Sequence, residues 1–244
     1  MDISNQELAQ LARHYNTPEF IKSDPIQFPH RFTEKRDIEI SAIVTSWISW
    51  GNRKQIILTA TRLHDDIFQN QPYRYLQSRE WEAFRDDRRC FYRTVRYDDF
   101  YQLMLRLWET YNQHEDLEAC VAALLPRCQD NPALALSTIF GGISGFADAR
   151  KSSPCKRLWF CLRWLVRQDG IVDLGIWKNI SPRRLIIPLD THVHHVALHL
   201  GLTTRRSADI TTARQITDHF REIFPDDPAL GDFALFAYGI EKGI

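Results

Sequence analysis

The sequence predicts an all-α fold for this chain of 244 residues. Apolar residues recur at the spacing of one helical face in most segments, for example at Phe100, Leu103, Leu107 and Tyr111. We find no segment with the apolar–polar alternation that is typical of a half-buried strand. Prolines and glycine-containing pairs separate the helical segments. These patterns together favour roughly ten helices joined by short connections.

In the first half of the chain, Leu8, Leu11 and Tyr15 predict a short helix, and three prolines then interrupt the pattern. Residues 37–50 have a strong amphipathic pattern that ends at Gly51-Asn52, a pair suited to a helix C-terminus and a tight turn. Helices are predicted here at 8–15, 37–50, 54–69, 72–88, 98–111, 117–125 and 132–140.

In the second half, residues 155–167 are apolar almost all round, which predicts a buried helix. Residues 168–184 contain Asp-Gly and Ser-Pro pairs and are predicted to form a loop. A helix over 211–223 is expected to begin at the hydroxyl acceptor Thr211 or Thr212. The remaining predicted helices are 191–201 and 232–238.

The length allows one large domain or two small, closely packed ones. We find no internal repeat and no low-complexity linker. We therefore expect a single helical unit over 1–244, with possible lobes at 37–149 and 150–244 and the N-terminal helix packed on the second lobe.

The net charge is zero, but the charges are unevenly distributed. Residues 150–222 hold 13 Lys and Arg against 6 Asp and Glu, whereas residues 1–149 hold 17 against 21. A local positive field can attract a polyanion even when the whole molecule is neutral. The alternative is that these cations are ordinary surface charges, solvated by water on exposed helix faces.

The five cysteines have no zinc or iron–sulfur spacing, so we expect reduced thiols, most of them buried. No apolar run approaches the roughly 20 residues that a membrane span needs. The first residues lack a basic segment followed by an apolar one, so no signal peptide is predicted. We therefore expect a cytoplasmic protein that does not bind membranes, associated with the nucleoid if it binds DNA.

The most informative segment is Pro188-Leu189-Asp190-Thr191-His192-Val193, followed by Leu200-Gly201-Leu202. Asp190 precedes an apolar helical pattern, which predicts a helix N-cap. A carboxylate that accepts backbone hydrogen bonds stays ionised near neutral pH. Asp190 is therefore either an ordinary cap or the electrostatic centre of an active site.

Two further segments carry candidate functional residues. Lys156 lies at the start of the predicted buried helix, 34 positions before Asp190, and is either a nucleophile or a solvated lysine. Asn52 lies in the turn of Ser49-Trp50-Gly51-Asn52-Arg53-Lys54, where the alternative to a functional role is a helix C-cap.

These three segments resemble the helix-hairpin-helix DNA glycosylase superfamily, and residues 37 to the end resemble an uncharacterised bacterial family within or beside it. The resemblance implies a two-lobed helical glycosylase-like fold. It also implies Asp190 as the catalytic carboxylate, Lys156 as the nucleophile of a bifunctional enzyme, and Asn52 as the residue that fills the gap left by a flipped base.

The chain departs from this superfamily at the hairpin before Lys156. The usual Leu-Pro-Gly-Val-Gly is replaced by residues 149–155, which contain no glycine, and the loop 168–184 is an insertion. Phosphate contacts are then expected from serine N–H groups and from Lys151 and Arg150, and an aromatic ring is expected to stack on the extruded base. The candidate DNA-binding residues are Asn52, Arg53, Lys54, Arg150, Lys151, Ser153 and Arg157, and the candidate base-stacking residues are Trp50, Trp159 and Phe236.

The expected function is therefore excision of a damaged base, such as 8-oxoguanine, from double-stranded DNA, with abasic-site lyase activity. We expect a monomer without a cofactor or metal. One alternative is a DNA-binding member of the same fold that no longer cleaves. Others are a metal-dependent hydrolase using His192, His194, His195 and His199, and a helical interaction module that does not bind nucleic acid.

Overall fold

The structure is a computed structural model that describes residues 3–244. Over these residues it is mostly helical, which confirms the predicted all-α class. Its α-helices are α1 (Asn5–Tyr15), α2 (Pro18–Ile21), α3 (Lys35–Ile48), α4 (Arg53–Arg62), α5 (Pro72–Ser78), α6 (Tyr97–Gln113), α7 (Leu117–Leu124), α8 (Pro132–Ile139), α9 (Lys156–Val166), α10 (Thr191–His199), α11 (Ile210–Ile223) and α12 (Gly231–Lys242).

A small β-hairpin interrupts the helices, which the sequence patterns did not predict. Strands β1 (Cys90–Tyr92) and β2 (Val95–Arg96) pair antiparallel, with Cys90 opposite Arg96 and Tyr92 opposite Val95. The expectation of no strands is wrong here because strands of two and three residues are too short to produce a recognisable alternation.

Two other boundaries differ from the predicted ones. The expected helix 72–88 is split into α5 and a 3₁₀ turn at Glu80–Phe84, because Arg79 between them adopts a left-handed conformation with φ +61°. Helix α11 begins at Ile210 and is capped by Asp209, whose Oδ1 accepts from the Thr212 N–H at 2.9 Å, so the expected threonine cap is wrong. An aspartate two to three residues upstream supplies the acceptor that the threonines were expected to provide.

The chain divides into two compact units. Unit 1 comprises the described residues up to Lys22 together with Ala149–Ile244, and unit 2 comprises Ser23–Asp148. In unit 1, helix α1 packs along α12, and α12 also packs on α10.

Helix α3 lies at the centre of unit 2. Every residue from Ile38 to Ile48 is buried, so α3 is a core helix and the amphipathic pattern was misleading. The polar residues among them are short or satisfied: for example, the Ser46 hydroxyl donates to the Ile43 carbonyl, and the Ser41 hydroxyl lies 2.7 Å from the His64 Nε2. Helix α4 continues after Arg62 as a π-helical turn, Leu63–Ile67.

In unit 1, α9 is buried as predicted, and the loop that follows it folds back onto its C-terminal end. The Leu174 N–H donates to the Trp164 carbonyl and the Trp177 N–H to the Leu165 carbonyl, both at 2.8 Å. Trp177 is fully buried. The loop therefore satisfies carbonyls that every helix leaves unpaired at its C-terminus.

The five cysteines are free thiols, and all except Cys90 are buried, as predicted. In residues 3–244, no helix combines the length and the apolar character that crossing a membrane requires.

Candidate active site

The structure brings together the two residues that the sequence singled out for catalysis. Lys156 opens α9 and Asp190 caps α10, and the lysine Nζ lies 2.8 Å from the Asp190 Oδ2. Both side chains are part-exposed, at 27% and 30%. The pair is therefore an ion pair that a ligand can reach, in contrast to the buried ion pairs of the same unit.

Asp190 is held in place by the helix it begins. Its Oδ1 accepts from the Val193 N–H at 2.8 Å, which confirms the predicted N-cap. The preceding residues Leu185 to Leu189 are buried, and the Ile187 N–H donates to the Thr217 hydroxyl on α11. The buried residues 185–189 thus anchor the chain, and the N-cap hydrogen bond orients the Asp190 carboxylate toward Lys156.

The charge state of Asp190 follows from opposing effects. Burial favours the neutral acid, but the Lys156 ammonium, its hydrogen bond and the Val193 N–H outweigh this and hold the pKa of Asp190 below its usual value. Asp190 is consequently a carboxylate throughout the physiological pH range.

Lys156 follows a strained residue. Cys155, the residue before α9, is buried and has a left-handed backbone with φ +49°, a conformation that non-glycine residues adopt at a cost. The Cys155 N–H donates to the Ser153 Oγ, and the Ile210 N–H donates to the Ser152 carbonyl. The glycine-free segment 149–155 therefore makes a sharp entry into α9 without glycine.

One face of α9 carries a row of cations. Lys156, Phe160, Arg163 and Arg167 follow each other at spacings of four, three and four, so they share a face. The Phe160 ring lies 4.9 Å from the Lys156 Nζ and 5.6 Å from the Arg163 guanidinium carbon. The arginines are 2% and 0% exposed, so only the Lys156 end of the row is open to solvent.

Carboxylates from other segments match the buried cations. Arg163 pairs with Asp232 on α12 and with Asp173 in the loop after α9, where its Nε lies 3.3 Å from the Asp173 Oδ1. Arg167 pairs with Asp173 and also with Asp169 and Asp227, both at 2.8 Å. Part of the predicted positive field of residues 150–222 is thus neutralised inside the unit.

Asp232 is a second carboxylate of the site. Burial and the negative charge of Asp190 raise its pKa, the charges of Arg163 and Lys156 lower it, and together they place the pKa at about 6. These influences connect Asp232 to the Lys156–Asp190 pair. Asp232 is therefore a buried carboxyl group whose pKa lies above its usual value.

Two aromatic rings belong to the same region. Phe160 contacts Lys156, and Phe236, four residues after Asp232 on α12, lies 6.4 Å from the His192 ring. Both phenylalanines are only partly buried. Trp159, in contrast, is 1% exposed, and this burial argues against the expected stacking on a base.

The remaining candidate residues of unit 1 lie before or at the start of α9. Arg150 and Lys151 are exposed, and Ser153 and Arg157 are partly exposed. The Ser153 Oγ accepts a hydrogen bond from the Cys155 N–H, which fixes the position of this hydroxyl beside the start of α9. Their contact with phosphate stays a prediction.

In unit 2, Asn52 caps α4. Its Oδ1 accepts from the Gln55 N–H and its backbone is extended, with φ −75°, so the alternative of a C-cap on α3 is wrong. Arg53 and Lys54 form the exposed first turn of α4. Trp50 is partly exposed, but the Arg93 guanidinium covers its ring at 4.4 Å, so stacking on a base would require Arg93 to move.

Three of the four histidines of α10 contact groups outside the helix, and the His194 and His195 rings stack on each other at 6.4 Å. The His194 imidazole bonds the Arg205 carbonyl at 2.8 Å, His199 lies beside Tyr238, and His192 lies beside Phe236. Within residues 3–244, no group of three or more His, Cys, Asp or Glu side chains is arranged to hold a metal ion. The geometry gives no support to the metal-dependent hydrolase.

A groove of about 950 Å³ lies elsewhere in unit 1. Its lining includes Leu11 and His14 on α1, His199 on α10 and Tyr238 on α12, but neither Lys156 nor Asp190. The Lys156–Asp190 pair and this groove are therefore separate places in unit 1.

Sequence reasoning missed Phe160, Arg163 and Asp232 as members of the site. The spacing of Phe160 and Arg163 from Lys156 was a usable signal, because all three share a helical face. Asp232 carried no such signal, since its position depends on how α12 packs.

The model of one protein family matches most of the chain. The match covers residues 24–241, and the family is described as "Protein of unknown function (DUF2400)". No curated protein and no solved structure matched the chain. The chain therefore belongs to the DUF2400 family.

Proposed function

We propose that this protein excises a damaged base from double-stranded DNA and then cleaves the abasic site, with Lys156 as the nucleophile and Asp190 as its catalytic carboxylate. The observation that carries the proposal is the 2.8 Å contact between Lys156 and Asp190, which lie 34 positions apart and begin two different helices. An accessible amine beside an ionised carboxylate is what nucleophilic cleavage of a glycosidic bond requires.

Lys156 attacks C1′ of the nucleotide as a neutral amine after losing a proton to solvent, and Asp190 stays ionised beside it. The bond between C1′ and the base breaks, and the base leaves with the electron pair and a proton. The sugar ring then opens to an iminium between Nζ and C1′. Loss of a C2′ proton expels the 3′ phosphate, and water releases the lysine.

Asp190 acts on the charge that develops at the sugar. Cleavage of the glycosidic bond builds oxocarbenium character, which a fixed carboxylate stabilises electrostatically. Because Asp190 is held by the Val193 N–H, it does not need to reorganise as the charge forms.

The rings of Phe160 and Phe236 suit an extruded base. Extrusion of a base from the duplex costs a few kcal/mol, and stacking on an aromatic ring stabilises the extruded base by about 1–3 kcal/mol. We propose an oxidised purine such as 8-oxoguanine as the substrate.

Borohydride trapping tests the mechanism, because it reduces the iminium to a stable amine. Wild-type protein should form a covalent adduct with duplexes that contain 8-oxoguanine or an abasic site, and Lys156→Gln should form none. Lys178→Gln is the matched control, since Lys178 is an exposed lysine of the same unit outside the site. No adduct with the wild type, or one that survives Lys156→Gln, would refute the lyase.

A DNA-binding protein without cleavage is the second candidate. The absence of glycine from segment 149–155 favours it, because the superfamily uses glycine N–H groups there to contact a phosphate. Salt-dependent binding to abasic duplexes, without base release or adduct, would support this candidate over the enzyme.

A further inference from the structure

The β-hairpin of unit 2 packs its tip against the turn between α3 and α4. The Tyr92 hydroxyl donates to the Trp50 carbonyl at 2.6 Å, and the two rings meet edge to face at 6.0 Å. Arg93, at the tip, places its guanidinium carbon 4.4 Å from the centre of the Trp50 ring. The hairpin tip and the turn therefore form one continuous surface, which we call the hairpin–turn edge (Trp50 to Lys54 with Tyr92 and Arg93).

The Arg93 guanidinium is held in position without being neutralised. Arg93 is exposed, and within the described chain its guanidinium has no hydrogen bond or ion pair. Stacking on an indole fixes the plane of a guanidinium and leaves the donors along its edge available. Arg93 is thus a positioned cation that lacks a partner for its charge.

The backbone on both sides accommodates this arrangement. Arg93 has a left-handed φ of +54°, which a non-glycine residue adopts at a cost. A Cβ at Gly51 would lie 2.4 Å from the Arg93 Nη1, so only glycine leaves room for the guanidinium at this point. The missing Cβ of Gly51 thus leaves space for the guanidinium that stacks on Trp50.

A second cation without a partner lies on the other side of the turn. Lys54 is exposed and, among the described residues, makes no ion pair or hydrogen bond through its ammonium. By contrast, Arg85 and Arg89 near the hairpin are engaged, with the Tyr101 hydroxyl and the Asp87 carboxylate. The uncompensated positive charge of this region therefore includes the two cations that flank Gly51-Asn52.

We propose that the hairpin–turn edge binds the sugar–phosphate backbone of duplex DNA, with the Arg93 guanidinium donating two parallel hydrogen bonds to one phosphate. The planar fork of arginine matches two phosphate oxygens, and the Trp50 ring orients it in advance. The inference rests on the proposed function and deepens it, because it places a DNA contact on a hairpin that the sequence did not reveal. Lys54 adds a second phosphate contact.

The test compares Arg93→Asn with Arg127→Asn in the full-length protein. Asparagine tolerates a left-handed backbone, so the first change removes the cation with little added strain. Arg127 is also exposed, lies in a different element of unit 2, and makes no ion pair or hydrogen bond through its side chain within the described residues, so the second change matches the first in charge. Circular dichroism establishes that each variant is folded.

Binding is measured by fluorescence anisotropy with a duplex that contains a tetrahydrofuran abasic analogue, over a range of KCl concentrations. Arg93→Asn should weaken binding about tenfold and reduce the slope of log K against log salt by about one, as expected for one lost phosphate contact. Arg127→Asn should stay within about twofold of the wild type with an unchanged slope. Arg93→Lys should keep the slope but lose about threefold in affinity, because lysine lacks the planar fork.

Three results with the variants and the competitor would overturn the inference. They are wild-type affinity and slope for Arg93→Asn, equal weakening by Arg127→Asn, and displacement of the duplex by polyglutamate as effectively as by unlabelled duplex. A wild type that does not bind the duplex also overturns it. If binding depends on Arg93 but borohydride traps no adduct, the proposed lyase fails and this inference stands. If an adduct forms but binding does not depend on Arg93, the lyase stands and this inference fails.

Discussion

Arg163 and Asp232 form an ion pair inside unit 1, with side chains 2% and 9% exposed. Arg163 lies on α9, seven residues after Lys156, and Asp232 lies in the first turn of α12. The pair therefore joins the helix that carries the proposed nucleophile to the helix that carries Phe236.

Breaking this pair should destabilise the protein strongly. Arg163→Met removes the cation and leaves Asp232 and Asp173 buried without it, which costs about 3–5 kcal/mol in such pairs. Urea unfolding measures the loss. Arg183→Met is the control: its pair with Asp226 is exposed at 67% and 78%, and it should change stability by no more than about 1 kcal/mol. Equal losses in the two variants would contradict this prediction.

The stability of the wild type should contain a contribution from Asp232 that falls as pH rises. Burial, with the charge of Asp190, raises the pKa of Asp232 to about 6, above its unfolded value, so the fold binds this proton more tightly than the unfolded chain. The contribution is complete below pH about 4 and is lost as pH rises through 6, by roughly 3 kcal/mol in total.

Asp232→Asn isolates this contribution, because asparagine does not titrate. The stability of the wild type minus that of Asp232→Asn, from urea unfolding between pH 4 and 8, should fall with rising pH. The opposite dependence of Asp190, whose pKa is lowered, is present in both proteins and largely cancels. A difference that is flat or that rises with pH would refute the assignment.

Asp190→Asn should separate the cap from the charge. Asparagine caps helices about as well as aspartate, so the variant should stay within about 1 kcal/mol of the wild type, whereas Asp190→Ala should lose about 1 kcal/mol more. If Asp190 stabilises charge at the sugar, both variants should release the damaged base at least about a hundredfold more slowly. Single-turnover assays on an 8-oxoguanine duplex measure this rate. If Asp190→Asn released the base at the wild-type rate, Asp190 would have only the structural role of a helix cap.

Gly239→Ala should disturb the packing of α12 on α10. The added Cβ would lie 2.3 Å from the His192 Cε1 and 2.9 Å from the Val196 Cγ2, and overpacking of this kind costs about 1–3 kcal/mol. Thermal unfolding of Gly239→Ala, His192→Ala and the double variant measures their coupling. The double variant should recover part of the loss, because shortening His192 opens the space; strictly additive losses would show that the clash is absent.

Local patterns predicted the residues that begin the helices of the site. Asp190 and Lys156 could be placed from sequence because a cap and the first residue of a helix depend on a few neighbouring residues. The same reasoning failed at α3, where an apparently amphipathic pattern belongs to a helix that is buried from Ile38 to Ile48. Short polar residues can be buried when their hydroxyls bond to the helix backbone, and a hydrophobicity pattern does not reveal this.

The charge count along the sequence also overestimated the positive field of residues 150–222. Residues 150–222 are basic in sequence, but the carboxylates that neutralise Arg163 and Arg167 include Asp227 and Asp232, which lie beyond that segment. Counting charges along the chain overestimates the field at the surface when partners are distant in sequence.

The sequence by itself determined the helical class, the cap at Asp190 and the lysine that opens α9, because helix periodicity and capping are set by residues within one or two turns. Only the tertiary structure decided that Lys156 meets Asp190, that Asp232 pairs with Arg163 on the helix that Lys156 opens, and that Arg93 stacks on Trp50. These contacts join residues between 34 and 69 positions apart, and they depend on how helices pack and on a hairpin too short to leave a pattern.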